Sequence, residues 1–173
     1  MKYQLKKGKN IWYSFKMELG EDLGAKYYDS ELREVDPFRI KNPVDAARVF
    51  FAYLKYLIIK YCTENNISTD ILYAVSIPAS FEANQRKDLL DALMANDMKV
   101  SKQALIDEPN AAFISYAVSR AAEDRPMFIS PDYNSKVLVF DFGGGTCDIS
   151  ILEIGQSANG FFSKNIAISK FTK

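Results

Sequence analysis

Val139-Phe140-Asp141-Phe142-Gly143-Gly144-Gly145-Thr146-Cys147-Asp148-Ile149-Ser150-Ile151-Leu152 is the stretch on which the reading of this chain turns. The apolar run Val137-Leu138-Val139-Phe140 predicts a buried strand that ends in Asp141 and enters three successive glycines. Beyond them, Cys147 to Ile151 alternates with period two, as a half-buried strand does. Strand, glycine turn and strand together read as a hairpin. Successive glycines accept positive φ and let a ligand approach the backbone closely. Their amide N–H groups can form a nest for phosphate oxygens. Asp141 stands where a carboxylate can hold a metal ion through water, since magnesium keeps several waters when bound. A tight turn with no ligand is the competing reading, and the flanking Asp141, Thr146 and Asp148 weigh against it.

Three other glycine motifs fit less well. The dinucleotide fingerprint requires a third glycine at a set spacing and a helix after the turn. Here position 148 is Asp and an alternating strand follows. The Walker loop requires Gly-Lys-Ser/Thr, which this turn lacks. Asp141-Phe142-Gly143 reads as the kinase metal motif, but a chain without histidine has no His-Arg-Asp loop.

Composition narrows the chemistry further. The 173 residues carry 22 basic and 22 acidic side chains, so net charge points to no nucleic-acid or anionic-membrane partner. A hydrophobic share of 48% is enough for a real core, and no apolar run is long enough to span a bilayer. Met1-Lys2-Tyr3 opens no signal-peptide pattern, so a cytoplasmic location is expected. Two cysteines, Cys62 and Cys147, are too few for a disulfide framework or a cysteine-built zinc site. The absence of histidine removes the usual base of serine and cysteine hydrolases. Carboxylates, lysines, hydroxyls and backbone amides remain, an inventory suited to magnesium and phosphoryl chemistry.

Around the hairpin the chain predicts an α/β arrangement. Residues 1–34 read as short strands or irregular structure interrupted by Gly20 and Gly24. Asn42 is the expected N-cap of a helix with Pro43 in its first turn and Asp45 behind it. Ala47, Phe50, Phe51, Leu54, Leu57, Ile58 and Tyr61 recur at helical spacing to about Thr63 and predict its buried stripe. Ile71 to Ile77 reads as a buried strand ended by Pro78, and Asn84 to Met94 as a helix with Leu89, Leu90 and Leu93 on one side. Gln103 to Asp107 is a second strand and Pro109 to Ala122 a third helix. Strand–helix–strand–helix order predicts a parallel pair. Glu123 to Ser135, with Pro126 and Pro131, is the expected linker, and Phe161 to Phe171 a third antiparallel strand. Neither an internal repeat nor a low-complexity tract is present.

A second candidate site lies at Ile106-Asp107-Glu108-Pro109-Asn110-Ala111-Ala112. Two acids end a strand that runs into a helix, where open α/β sheets bind ligands. The plainer alternative is that Asp107 and Glu108 only complement the helix N-terminus.

Val75-Ser76-Ile77-Pro78-Ala79-Ser80-Phe81, Asn84-Gln85-Arg86, the Asp107-Glu108-Pro109 segment and the glycine turn, in this order, resemble the seventy-kilodalton heat-shock (DnaK-like) chaperones over roughly residues 43–155. The resemblance implies an actin-like, ribonuclease-H-like ATPase fold that is incomplete here. Residues 1–130 would be the later part of lobe I, and residues 131–173 the first antiparallel strands of lobe II. It further implies ATP/ADP with Mg2+, and K+ as a monovalent cation. Glu108 looks like the family carboxylate beside the attacking water and the metal's water shell, and Asp141 like its metal-site aspartate. Gly143, Gly144 and Gly145 look like the second phosphate loop, Thr146 like the residue facing the γ-phosphate, and Asp148 like an acid that orients water or binds the monovalent cation. Lys16, in Phe15-Lys16-Met17-Glu18-Leu19-Gly20, is similar to the catalytic lysine, with an ordinary solvated lysine as the alternative. Pro78 and Arg86 resemble the pair that relays nucleotide state to a substrate-binding domain.

Four residues depart from the family pattern. Ser80 stands where an aromatic is usual, Asp107 where asparagine is, Asn110 where threonine is, and Cys147 where phenylalanine is common. The resemblance leads one to expect a first phosphate loop before Lys16, and the adenosine-binding part of lobe II and a substrate-binding domain after Lys173, and these 173 residues match none of them. The expectation is a piece of an ATP-hydrolysing chaperone, not competent for turnover alone, that works with the rest of its own domains, client polypeptides and co-chaperones. Unpaired strands could also join two copies. Another actin-like ATPase (a sugar kinase or filament protein) and a degenerate lobe used for protein interaction are the alternatives.

Overall fold

The computed structural model describes residues 4–23, 39–100, 105–124, 134–142, 146–158 and 160–172. Contacts divide the chain into two units, Met1–Tyr73 with Glu82–Lys102, and Ala74–Phe81 with Gln103–Lys173.

The first unit is built on helix α1 (Pro43–Glu64) and helix α2 (Ala83–Met94). Asn42 caps α1 as its sequence predicts, its Oδ1 accepting the Asp45 amide at 2.8 Å. Pro43 begins the helix, where its missing N–H leaves no bond unmade. The buried residues of α1 are Pro43, Ala46, Ala47 and Cys62. Of the predicted stripe, Ala47 is buried and Phe51, Leu54 and Ile58 are half-buried, while Phe50, Leu57 and Tyr61 are 45%, 40% and 61% exposed. Helix α2 meets α1 through its own buried residues Leu89, Ala92 and Leu93. Gln85 Oε1 accepts the Glu82 amide at 3.0 Å and closes the start of α2.

The N-terminal segment adds a 3-10 turn over Phe15–Glu18 and an isolated bridge between Lys7 and Ile11, in keeping with the irregular structure expected there. Trp12, Phe15, Leu23 and Val49 pack on the buried Ile40 and Ala46. Gly20 has φ +80°, and a Cβ there would lie 2.7 Å from Gln85 Cγ. Its amide donates to Asp88 Oδ2 at 2.8 Å, and its carbonyl accepts from Asn84 Nδ2 at 2.9 Å. Gly20 therefore breaks the pattern because helix α2 comes too close for a side chain. Gly24 lies outside the described residues.

The second unit joins two sheets through one helix. Strands β1 (Val75–Ile77) and β2 (Leu105–Asp107) form the expected parallel pair, with Val75 opposite Leu105 and Ile77 opposite Asp107. The strand expected from Ile71 is shorter than its apolar run. Only the three residues facing β2 are paired, and Leu72 is 96% exposed. Helix α3 (Glu108–Ala122) follows β2 directly. Most of the predicted linker, residues 125–133, lies outside the described residues.

Strands β3 (Ser135–Phe142), β4 (Thr146–Ser157) and β5 (Gly160–Thr172) make the predicted antiparallel sheet in sequence order. Phe113 of α3 packs with Leu152, Ile154, Val137 and Val139. Full burial of a side chain such as Leu152 contributes about 1.5–3 kcal/mol. Strand β3 is buried on this face only. Leu138, Phe140 and Phe142 point the other way and are 64%, 53% and 73% exposed, because α3 covers one side of the sheet. Both cysteines are free, Cys62 in the first unit and Cys147 in the second.

Candidate functional site

Two parallel strands deliver their C-terminal ends to one place. After β1 the chain turns through Pro78, Ala79 and Ser80, the Phe81 amide donating to the Pro78 carbonyl at 3.0 Å. After β2 it enters α3 at Glu108. The hairpin supplies the third wall. Asp141, near the end of β3, stands directly opposite Asp148 of β4. Pro78, Ser80, Glu108, Asp141 and Asp148 line one cleft, closed below by Pro109, Val139, Ser150 and Ile168. It offers about 10 Å³ to the centre of a water-sized sphere, room for about one water molecule.

Charge is the notable property of this cleft. Like charges directly opposite on an antiparallel ladder destabilise it. Glu108 adds a third carboxylate to the same lining. The Ser80 hydroxyl donates to Asp148 Oδ1 at 3.4 Å, a long bond that offsets part of the repulsion. Hard oxygen donors of this kind suit Mg2+. Among the described residues no three acids, cysteines or histidines come close enough to hold one ion together. A magnesium ion here would therefore draw most of its ligands from water and phosphate, as magnesium commonly does.

Four sequence-predicted residues, Pro78, Glu108, Asp141 and Asp148, thus share the cleft. Gly143, Gly144 and Gly145 lie outside the described residues, as does the side chain of Thr146, whose backbone begins β4. Lys16 sits in the 3-10 turn and Arg86 in α2, both in the first unit. The proposed relay pair is therefore divided between the units.

Asp107 stands at the N-cap position of α3 with Glu108 in the first turn, where both acids complement the helix N-terminus. The Asp107 side chain makes no cap bond to α3. Instead its Oδ2 accepts from Asn165 Nδ2 of β5 at 2.7 Å. One turn on, Asn110 Oδ1 accepts from the Ser163 hydroxyl at 3.0 Å. Sequence reading missed Asn165, Ser163 and the Ser80 contact, since each partner lies more than 50 residues away and no local pattern marks it.

The family model described as Hsp70 protein matches residues 41–165, most of the chain and all of this cleft but Ile168. The chain belongs to the Hsp70 family. It is 36% identical over 143 residues, 82% of its own length, to a heat shock cognate HSP70 protein of Trypanosoma brucei brucei. It is 38% identical over 81 residues to a chaperone protein DnaK of Nitrosopumilus maritimus, and 39% identical over 83 residues to a chaperone protein DnaK 3 of a Synechococcus species. The chain spans 18% of the first of these relatives and 11% of each of the others. Hsp70 membership implies the actin-like ATPase fold, and the α/β build with one parallel and one antiparallel sheet accords with it. Among the described residues no helix is long and apolar enough to cross a membrane.

Proposed function

We propose that this chain is a segment of the ATP-binding and ATP-hydrolysing domain of a cytoplasmic Hsp70-type chaperone, and that the acidic cleft is its phosphate and magnesium site. The observation that carries the reading is that Glu108, Asp141 and Asp148 line one cleft at the end of a parallel pair. In this reading the amides of Gly143, Gly144 and Gly145 and the Thr146 hydroxyl donate to phosphate oxygens. Glu108 accepts a hydrogen bond from the attacking water and orients it. Asp148 holds a second water or a K+ ion, and Lys16 has the role of the catalytic lysine. Positioning and charge stabilisation of this kind are what phosphoryl transfer asks of a protein. Bound Mg2+ would supply neutralisation of the phosphate charge, with Asp141 and Glu108 holding its water shell. Pro78 and Arg86 pass the state of the site outward, to client-binding parts and co-chaperones of the intact protein.

The lobe boundary near residue 131 belongs to the same proposal, with lobe I contributing residues 1–130. So does the expectation that the segment does not turn over ATP by itself. Glu108→Gln in the intact protein is expected to lower turnover by about 10²–10⁴-fold, the usual contribution of a positioned acid–base group. Unchanged turnover would sink the assignment. Micromolar binding of Mg-ATP by these 173 residues in calorimetry would refute the expected incompetence.

The family departures at Ser80, Asp107, Asn110 and Cys147 favour a second reading, a degenerate lobe that serves protein interaction. An intact protein without ATP turnover that still binds its partner would support it. Among the described residues, β3 and β5 are the edges of the antiparallel sheet. Edges of this kind recruit other strands, and pairing of two copies is the expected result. Light scattering that gives a monomer at high concentration would exclude it.

A further inference from the structure

We infer that Asn165 and Ser163 of β5 are positioning residues that hold Glu108 at the cleft. The inference rests on the reading of Glu108 given above. Three contacts join α3 to β5 in a regular series. Asp107 meets Asn165, Asn110 meets Ser163, and Phe113 stacks on Phe161 with ring centroids 5.8 Å apart. The helix advances by three residues at each step and the strand retreats by two. Three is close to one turn of a helix, and two is the repeat of one strand face. The series therefore uses one side of α3 and one side of β5. Glu108 lies between the first two contacts, next to Asp107 and two residues before Asn110. The first turn of α3 is fixed on both sides of it.

A register change in the sheet makes this possible. Ile151 pairs with Ala167, but Leu152 pairs with Asn165, so β5 carries one extra residue at Ile166. An inserted residue of this kind re-aims the side chains beyond it. Opposite residues share a face, so Asn165 and Ser163 lie on the side of Leu152 and Ile154, the face that packs on Phe113. In a regular strand of the same sequence, with no bulge, Asn165 would share the other face with Ala167. Two polar side chains in an apolar interface need partners, and Asp107 and Asn110 provide them. Among the described residues Asn165 Oδ1 is buried without a partner, so the bond to Asp107 is the amide's specific anchor.

The test exchanges donor and acceptor. Asn165→Asp sets two carboxylates against each other, and Asp107→Asn with Asn165→Asp restores one bond with its polarity reversed. The readout is the backbone amide and side-chain carboxyl signal of Glu108 by NMR of the isotopically labelled chain. Asn165→Asp is expected to move both signals, and the exchanged pair to return them. Glu108 signals that ignore Asn165→Asp, or that the exchanged pair fails to return, overturn the inference. If Asn165→Asp does not fold, the exchanged pair takes over. A folded protein with wild-type Glu108 signals upholds the inference, and a protein that stays unfolded overturns it. Turnover of Mg-ATP by the intact protein judges the underlying reading separately. Asn165→Asp is expected to lower kcat about 100-fold, the scale of a small misplacement, with recovery in the exchanged pair. Signals that respond as stated while turnover does not change would remove Glu108 from the chemistry and leave its tether in place.

Discussion

Helices α1 and α3 begin alike and are held in opposite ways. Each has a proline in its first turn and an acid beside it. Helix α1 is closed by its own neighbour, Asn42, whose side chain reaches the amide three residues on. Helix α3 has no side-chain cap from Asp107 and is fixed instead by a strand 58 residues further along the chain. A locally capped helix is set as soon as it forms. A helix start fixed from a distant strand is set only when the sheet has assembled, and the site residue it carries takes its position from the tertiary structure.

Three measurements sharpen this contrast. Asn165→Ala removes a hydrogen bond to a carboxylate and is expected to cost about 1.5–3 kcal/mol in urea or thermal unfolding. Asn42→Ala removes an ordinary cap and is expected to cost about 1 kcal/mol. The reverse ranking would mean that the local cap matters more than the distant tether. The smallest effect belongs to Lys87 of α2, which donates to Asp91 one turn on and whose pKa is raised by that hydrogen bond and the adjacent charge. A raised lysine pKa contributes stability that is fully present below the unfolded value of 10.5 and is lost as pH rises through the higher folded value. Unfolding curves of Lys87→Gln should therefore approach those of the parent chain only in strongly alkaline solution. Added salt should narrow the gap at neutral pH, since this exposed pair is screened.

The same contrast explains what could be read from the residues alone. The cap and extent of α1, the parallel pair and the hairpin with its third strand follow from spacing, end signals and glycine placement, all local. Burial did not follow so directly. The apolar run of β3 reads as buried on both sides, yet Leu138, Phe140 and Phe142 face away from α3. Periodicity says that a residue is apolar and not whether a second layer covers it. Phe50, Leu57 and Tyr61 of α1 teach the same thing, since they are apolar or aromatic at helical spacing and still exposed. In the candidate site, Glu108, Asp141 and Asp148 stand out in the sequence because each lies at or near the end of an element. Asn165 and Ser163 do not, because they lie mid-strand and acquire their partners through one extra residue in β5.

The pairing of β3 with β4 also bears on how this segment can drift through generations. Asp141 faces Asp148, and Val137 faces the buried Leu152, in one continuous register. A slip of one residue would turn Val137 and Val139 away from Leu152 and exchange the two faces of the strand. A residue inserted within either strand would exchange its faces, whereas a substitution at a single position such as Cys147 leaves the register in place. Descendants of this hairpin are expected to change their letters long before they change their length.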